Sequence, residues 1–180
     1  LLRILFLTHA FNSLAQRLYV ELVALGHDVS IEFDINARVT EEAVALWSPD
    51  LIVAPFLKRR IPEPVWRKHR CIVIHPGIRG DRGPSALDWA ITDGEACWGV
   101  TVIEANAEMD AGDVWASVEF PMREATKSSL YRNEVTEAAV LALRRTLERL
   151  ARGEAPEPLR DNDPAVRGRL RPLLRQADRA

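Results

Sequence analysis

The chain is poor in cysteine. Its two, Cys71 and Cys97, form no CxxC and stand at zinc spacing from no histidine. That excludes a disulfide-stapled scaffold and a thiolate metal knot, and fits reduced thiols in a cytoplasmic domain. A glycine-rich phosphate loop is missing as well. After the first apolar run the sequence is H-A-F-N-S-L-A-Q, with neither GxGxxG nor GxxxxGK[ST]. A turn without glycine cannot bring backbone N–H groups close around a pyrophosphate, so dinucleotide binding is disfavoured. There is no basic surplus: the net charge is -2 with both signs interspersed, which leaves no footprint for nucleic acid. No apolar run is long enough to cross a membrane, and Leu1 to Leu7 reads as a strand, not a leader. Asp110 and Asp113 lack the further oxygens a hard cation needs, so no metal is assigned. There is also no initiator methionine, and the last residues keep helical character, so the sequence is expected to be part of a longer multidomain protein.

What remains is an ordinary folding composition, 47% hydrophobic and 28% charged over 180 residues, enough for one domain with a proper core. Short apolar runs at Arg3 to Thr8, Asp28 to Phe33, Leu51 to Ala54 and Cys71 to Ile74 predict strands. Helices are predicted between them: Leu14 to Leu25 capped by Ser13, Thr40 to Trp47 capped by Thr40, and a short one from Pro62 to Arg67. This βα alternation predicts an α/β domain, with a mostly parallel twisted sheet and helices on both faces. Val100 to Glu104 and Val114 to Phe120 are separated by a turn only and predict an appended antiparallel hairpin. Leu130 to Arg152 predicts the longest helix, ended by Gly153. Residues 1–152 are read as the catalytic domain, and 153–180 as a Pro-rich linker and the start of a following segment.

The chemistry concentrates between His75 and Asp113. His75 follows a buried strand, where open α/β sheets place their ligand chemistry. A glycine-rich loop follows, R-G-D-R-G from Arg79 to Gly83, whose two arginines suit anion steering better than adhesion. Gly77, Gly80 and Gly83 suit close backbone approach. Asp110-Ala111-Gly112-Asp113 is a turn sequence in which Gly112 is free to take positive φ. A histidine and an aspartate brought together there can move a proton during attack on a carbonyl. Asn12, Ser13 and Gln16 can hydrogen-bond a small polar ligand or simply cap the first helix. Leu87 and Trp89 are expected to pack the short helix, and Asp88 to face solvent.

The block H-P-G-I-R-G-D-R-G-P-S-A-L-D-W-A-I, followed by G-V-T-V-I-E-A-N-A-E-M-D-A-G-D-V, resembles the catalytic domain of the formyltransferases that use 10-formyltetrahydrofolate. His75, Arg82-Gly83, Ala90-Ile91, Gly99-Val100-Thr101 and Asp110-Ala111-Gly112 fall on that family's elements in order. The resemblance implies a Rossmann-like formyltransferase fold, with His75 and Asp110 as catalytic residues. It implies a folate held by Pro55, Phe56 and Leu57 together with Ser13, Gln16, Gly77, Arg79 and Gly83. Two positions depart from the pattern. Ala86 replaces a proline, and Val73 stands where the family has an asparagine that donates to the formyl oxygen. Arg79 and Arg132 are the candidate replacement donors, Arg132 being counted with the catalytic residues.

The wording of the same block, with S-L-Y-R and V-R-G-R-L-R-P-L further on, is more closely similar to the [NiFe]-hydrogenase maturation factors of the HypX/HoxX family. That resemblance implies coenzyme A as formyl acceptor, carbon monoxide as the eventual product, and a hydrogenase maturation complex as partner. Two alternatives stay open: hydrolysis of 10-formyltetrahydrofolate to formate, and a folate-binding module without catalysis.

Overall fold

A computed structural model describes residues 1–159, 163–164 and 166–175. Its frame is a six-stranded sheet in the order β2-β1-β3-β4-β5-β6. The strands are β1 (Arg3–Thr8), β2 (Asp28–Phe33), β3 (Leu51–Phe56), β4 (Cys71–His75), β5 (Cys97–Glu104) and β6 (Val114–Pro121). β2, β1, β3 and β4 run parallel, whereas β5 lies antiparallel to both β4 and β6, so the expected hairpin extends the parallel half. β1, β3 and β4 are buried on both faces, which is why they read as unbroken apolar runs and not as alternating ones.

Two apolar layers cover the sheet. On one face, α1 (Ser13–Ala24), α4 (Ala86–Thr92) and α6 (Thr136–Ala151) bury Leu14, Leu18, Leu22, Leu87, Ala139 and Leu143 against Ile4, Phe6, Val53 and Ile72. On the other, α2 (Ala37–Trp47) and α3 (Glu63–Lys68) bring Val44 and Val65 against Leu5, Leu7 and Ile52. The order of the strands reverses at β1, so β2 grows to one side and β3 and β4 to the other. Ligands of open α/β sheets bind outside the strand ends near such a reversal.

The helix ends differ from their sequence reading. Asn12, not Ser13, caps α1 by accepting from the Ala15 N–H, and Asn36, not Thr40, caps α2 by accepting from Val39. Each asparagine lies in extended backbone just before the helix and offers a short carbonyl at the right reach, while Thr40 is already buried inside α2. The long helix is also interrupted. α5 (Lys127–Leu130) passes through a π-turn, Tyr131–Val135, into α6. Such widened turns often mark functional positions.

Candidate active site

β4 delivers His75 to the sheet's C-terminal edge, and the chain then turns back at once. Two bonds from β5 fix that turn: Trp98 Nε1 donates to Pro76 O (3.0 Å) and Thr101 Oγ1 to Gly77 O (2.9 Å). The loop returns Asp81 to the ring, where its carboxylate meets His75 Nε2 at 2.7 Å with both side chains buried. A Cβ at Gly77 would sit 2.5 Å from Asp81 Oδ2 and 2.6 Å from His75 Nε2, so the pair closes only because residue 77 has no side chain.

The other ring nitrogen has a second carboxylate. His75 Nδ1 lies 3.6 Å from Asp110 Oδ1, too far for a hydrogen bond and close enough to share a water or a ligand atom. Asp110 holds its place in two ways. It adopts left-handed backbone at φ 59, and its Oδ2 accepts from the Gly83 N–H (3.3 Å). The positive φ expected at Gly112 thus falls on Asp110. Gly112 is needed for close approach instead: a Cβ there would sit 1.7 Å from Glu104 O, on the strand it packs against.

Burial pulls the His75 pKa down, but the hydrogen bond that His75 donates to Asp81 and the charges of Asp110 and Asp81 outweigh it, leaving the imidazole above its usual 6.5. The geometry therefore favours an imidazolium, anchored at Nε2 by Asp81 and presenting Nδ1 beside Asp110. This is a charged donor fixed in direction, suited to an oxygen that gains negative charge.

Asp110 and His75 line a cavity of about 770 Å³, within the range of small-molecule sites. Pro55, Phe56, Leu57 and Val73, at and after the ends of β3 and β4, give it an apolar wall, and Gly83, Pro84, Leu87 and Met109 also line it. Lys58, Arg59 and Arg60 put three exposed cations at the rim. Asp81 is not part of the wall; it supports the ring from behind.

The other sequence-chosen residues divide. Pro55, Phe56, Leu57 and Gly83 line the cavity, whereas Ser13, Gln16, Gly77, Arg79 and Arg132 do not. Arg79 instead pairs with Glu157 at 2.9 Å, drawn away by a carboxylate on the segment after α6. Arg132 is exposed on the π-turn, next to Tyr131, which does line the cavity and accepts from Asn12 Nδ2 at 3.1 Å. Gln16 spends its amide on Phe11 O (2.8 Å). Asp88, read as solvent-facing, is buried and bound to Lys127 at 2.7 Å, because α5 crosses over α4; both line the cavity. Leu87 packs the core as expected, and Trp89 lies half-buried with its indole donating to Pro172 O (2.9 Å).

Asp81 was missed in the sequence. The R-G-D-R-G loop stands out for its arginines, and Gly77 is the available signal that something must approach His75.

The chain as a whole is similar to known proteins. A family model described as formyl transferase matches residues 32–147. The chain belongs to the formyl transferase family. Its similarity to the hydrogenase maturation factor HoxX of Bradyrhizobium diazoefficiens is 56% identity over 179 residues, 99% of this chain and 31% of that protein. A methionyl-tRNA formyltransferase of Bacillus thuringiensis is 27% identical over 152 residues, 82% of this chain and 48% of its own. Among solved structures, HypX from Aquifex aeolicus in complex with tetrahydrofolic acid superposes with a TM-score of 0.92 at 52% identity, covering 98% of this chain and 30% of that one. This formyl transferase chain therefore spans about a third of the length of its HoxX and HypX relatives. Among the described residues, no helix is long and apolar enough to cross a membrane.

Proposed function

We propose that the chain binds 10-formyltetrahydrofolate in the His75 cavity and transfers its formyl group to a nucleophilic acceptor. The observation that carries this reading is the buried His75 held between Asp81 and Asp110 at the wall of a ligand-sized cavity. The resemblance to a HypX crystallised with tetrahydrofolic acid supports the choice of folate. The flat pterin suits the apolar wall of Pro55, Phe56 and Leu57, and the glutamate carboxylates suit Lys58, Arg59 and Arg60 at the rim.

In the reaction, the acceptor attacks the formyl carbon on N10 and a tetrahedral oxyanion forms. His75 donates from Nδ1 to that oxygen. Asp110 takes the proton that the acceptor loses and passes it to N10 as the C–N10 bond breaks, releasing tetrahydrofolate. Val73 lines the cavity where the wider family has an amide donor, so the charged His75 carries more of the oxyanion stabilisation here.

By resemblance to HoxX and HypX, the acceptor is the thiol of coenzyme A, and the longer protein serves [NiFe]-hydrogenase maturation, with carbon monoxide formed outside this domain. Arg132, Ser13 and Gln16 lie near Tyr131 and Asn12, off the folate wall, and suit the acceptor better than the pterin. A cytoplasmic setting fits that role.

The test mixes the chain with 10-formyltetrahydrofolate, with and without coenzyme A, and follows tetrahydrofolate release. Release that needs His75 and Asp110 supports formyl chemistry. Acceleration by coenzyme A supports transfer, whereas indifference to it indicates water as acceptor. Folate binding without release would reduce the domain to a docking module.

A further inference from the structure

The catalytic loop is gripped from outside by the chain's last described segment. Residues 166–175 run beside loop 79–85 like an added strand. Gly168 N–H donates to Arg79 O (3.1 Å), Arg82 N–H to Arg169 O (3.2 Å) and Arg171 N–H to Arg82 O (2.9 Å), and Leu174 N–H ends the series on Ser85 Oγ (3.0 Å). Side chains fasten both ends. Leu174 is 5% exposed, Arg171 pairs with Asp93 and lies 4.7 Å over the Trp89 ring, and Arg167 pairs with Glu119 at 2.6 Å.

Glycines mark where backbone meets backbone. A Cβ at Gly168 would lie 2.0 Å from the Asp81 nitrogen and 2.4 Å from the Gly80 carbonyl carbon. At Gly83, which has φ +121, it would lie 2.1 Å from Arg171 O. These are the points from which both carboxylates of the site are set: Asp81 bonds His75, and the Gly83 N–H bonds Asp110.

We propose that segment 166–175 is a strap that positions the catalytic carboxylates, holding loop 79–85 so that Asp81 and Asp110 flank His75. The strap touches none of the reacting atoms assigned above; Leu173 reaches the cavity lining, and the rest acts on the carboxylates through the loop. Gly168 is its central positioning residue, since any side chain there displaces Asp81. Because the strap lies beyond α6, the catalytic unit extends to at least Leu174. The catalytic consequence rests on the formyl-transfer reading; the geometric claim does not.

The test uses the whole chain with Gly168→Ala, with Leu170→Ala as control, since Leu170 projects into solvent at 66% exposure. Two readouts are taken: the imidazole titration of His75 by NMR, and the kcat and KM of tetrahydrofolate release. For Gly168→Ala the His75 midpoint falls towards 6.5, and kcat drops on the order of a hundredfold, with KM for the folate changed less than about threefold. Leu170→Ala alters neither. Should Gly168→Ala fail to fold, Leu174→Ala decides: it loosens the anchored end, and the same two quantities move in the same direction, by a smaller amount. An unchanged His75 titration in a folded Gly168→Ala protein overturns the strap. If the wild-type chain shows no release, the titration still tests the strap, and the failure belongs to the formyl-transfer reading.

Discussion

Among the described residues, two histidines at the C-terminal edge of this sheet, His9 and His75, have aspartate partners, and they differ in kind. His9, just past β1, meets Asp34 at 2.9 Å, with its side chain 34% exposed and one carboxylate on one nitrogen. His75, at the end of β4, is 6% exposed and has a carboxylate facing each nitrogen. The first pair ties the β1 turn to the β2 turn, and Asp34 also accepts from the Lys58 N–H at 3.3 Å. The second has one carboxylate buried behind it and one on the cavity wall. Residue type alone thus does not mark the site. Burial, a second carboxylate and access to a ligand-sized space separate the pair proposed as catalytic from the other.

Substitution at the two histidines should break this comparison most plainly. His75→Ala is expected to lower tetrahydrofolate release by about a hundredfold to a thousandfold, as loss of an oxyanion donor does. His9→Ala should change it by less than about tenfold, and parallel progress curves decide. Equal losses would mean that the difference in burial and partners carries no functional meaning. Gly77→Ala comes next. It forces a methyl between His75 and Asp81 and should cost about a hundredfold in kcat with the folate still bound, measured by turnover alongside calorimetry.

How far these features were legible in the sequence depended on what encodes them. The strands, the hairpin and His75 at a strand end were readable because apolar runs and period are local signals. Asp110 was reached only through a family pattern, since D-A-G-D alone is an ordinary turn. Asp81 was invisible because its pairing depends on the path of a glycine loop, and no periodicity records that path. The surroundings of Arg79 and Asp88 are hidden from the sequence for a related reason. Each is claimed by an opposite charge distant in sequence, Glu157 and Lys127, whose approach only the tertiary fold decides. The helix caps slipped because asparagine and serine or threonine compete closely there.

A smaller effect should appear in stability against pH. The His75 pKa is raised on folding, so its contribution is fully present below about 6.5 and is lost as pH rises through the folded value. Thermal melting of the wild type should therefore weaken over that upper window, and Asp81→Asn should flatten the slope. An unchanged slope would mean that Asp81 does not hold the charge. The smallest effect belongs to the rim. Lys58→Ala with Arg59→Ala should raise the KM for the folate by about twofold to fivefold at low salt and by less at high salt, as exposed charges are screened. A rise that persists at high salt would argue against a screened electrostatic role.

The most direct measurement is the pH profile of tetrahydrofolate release under single turnover, compared between the wild type and Asp81→Asn. A fixed imidazolium at His75 requires that the wild-type rate fall with one ionisation above 6.5 and that Asp81→Asn move this limb to lower pH. A limb that stays in place when Asp81 loses its charge would contradict the assignment of Asp81, and with it the account of how His75 works.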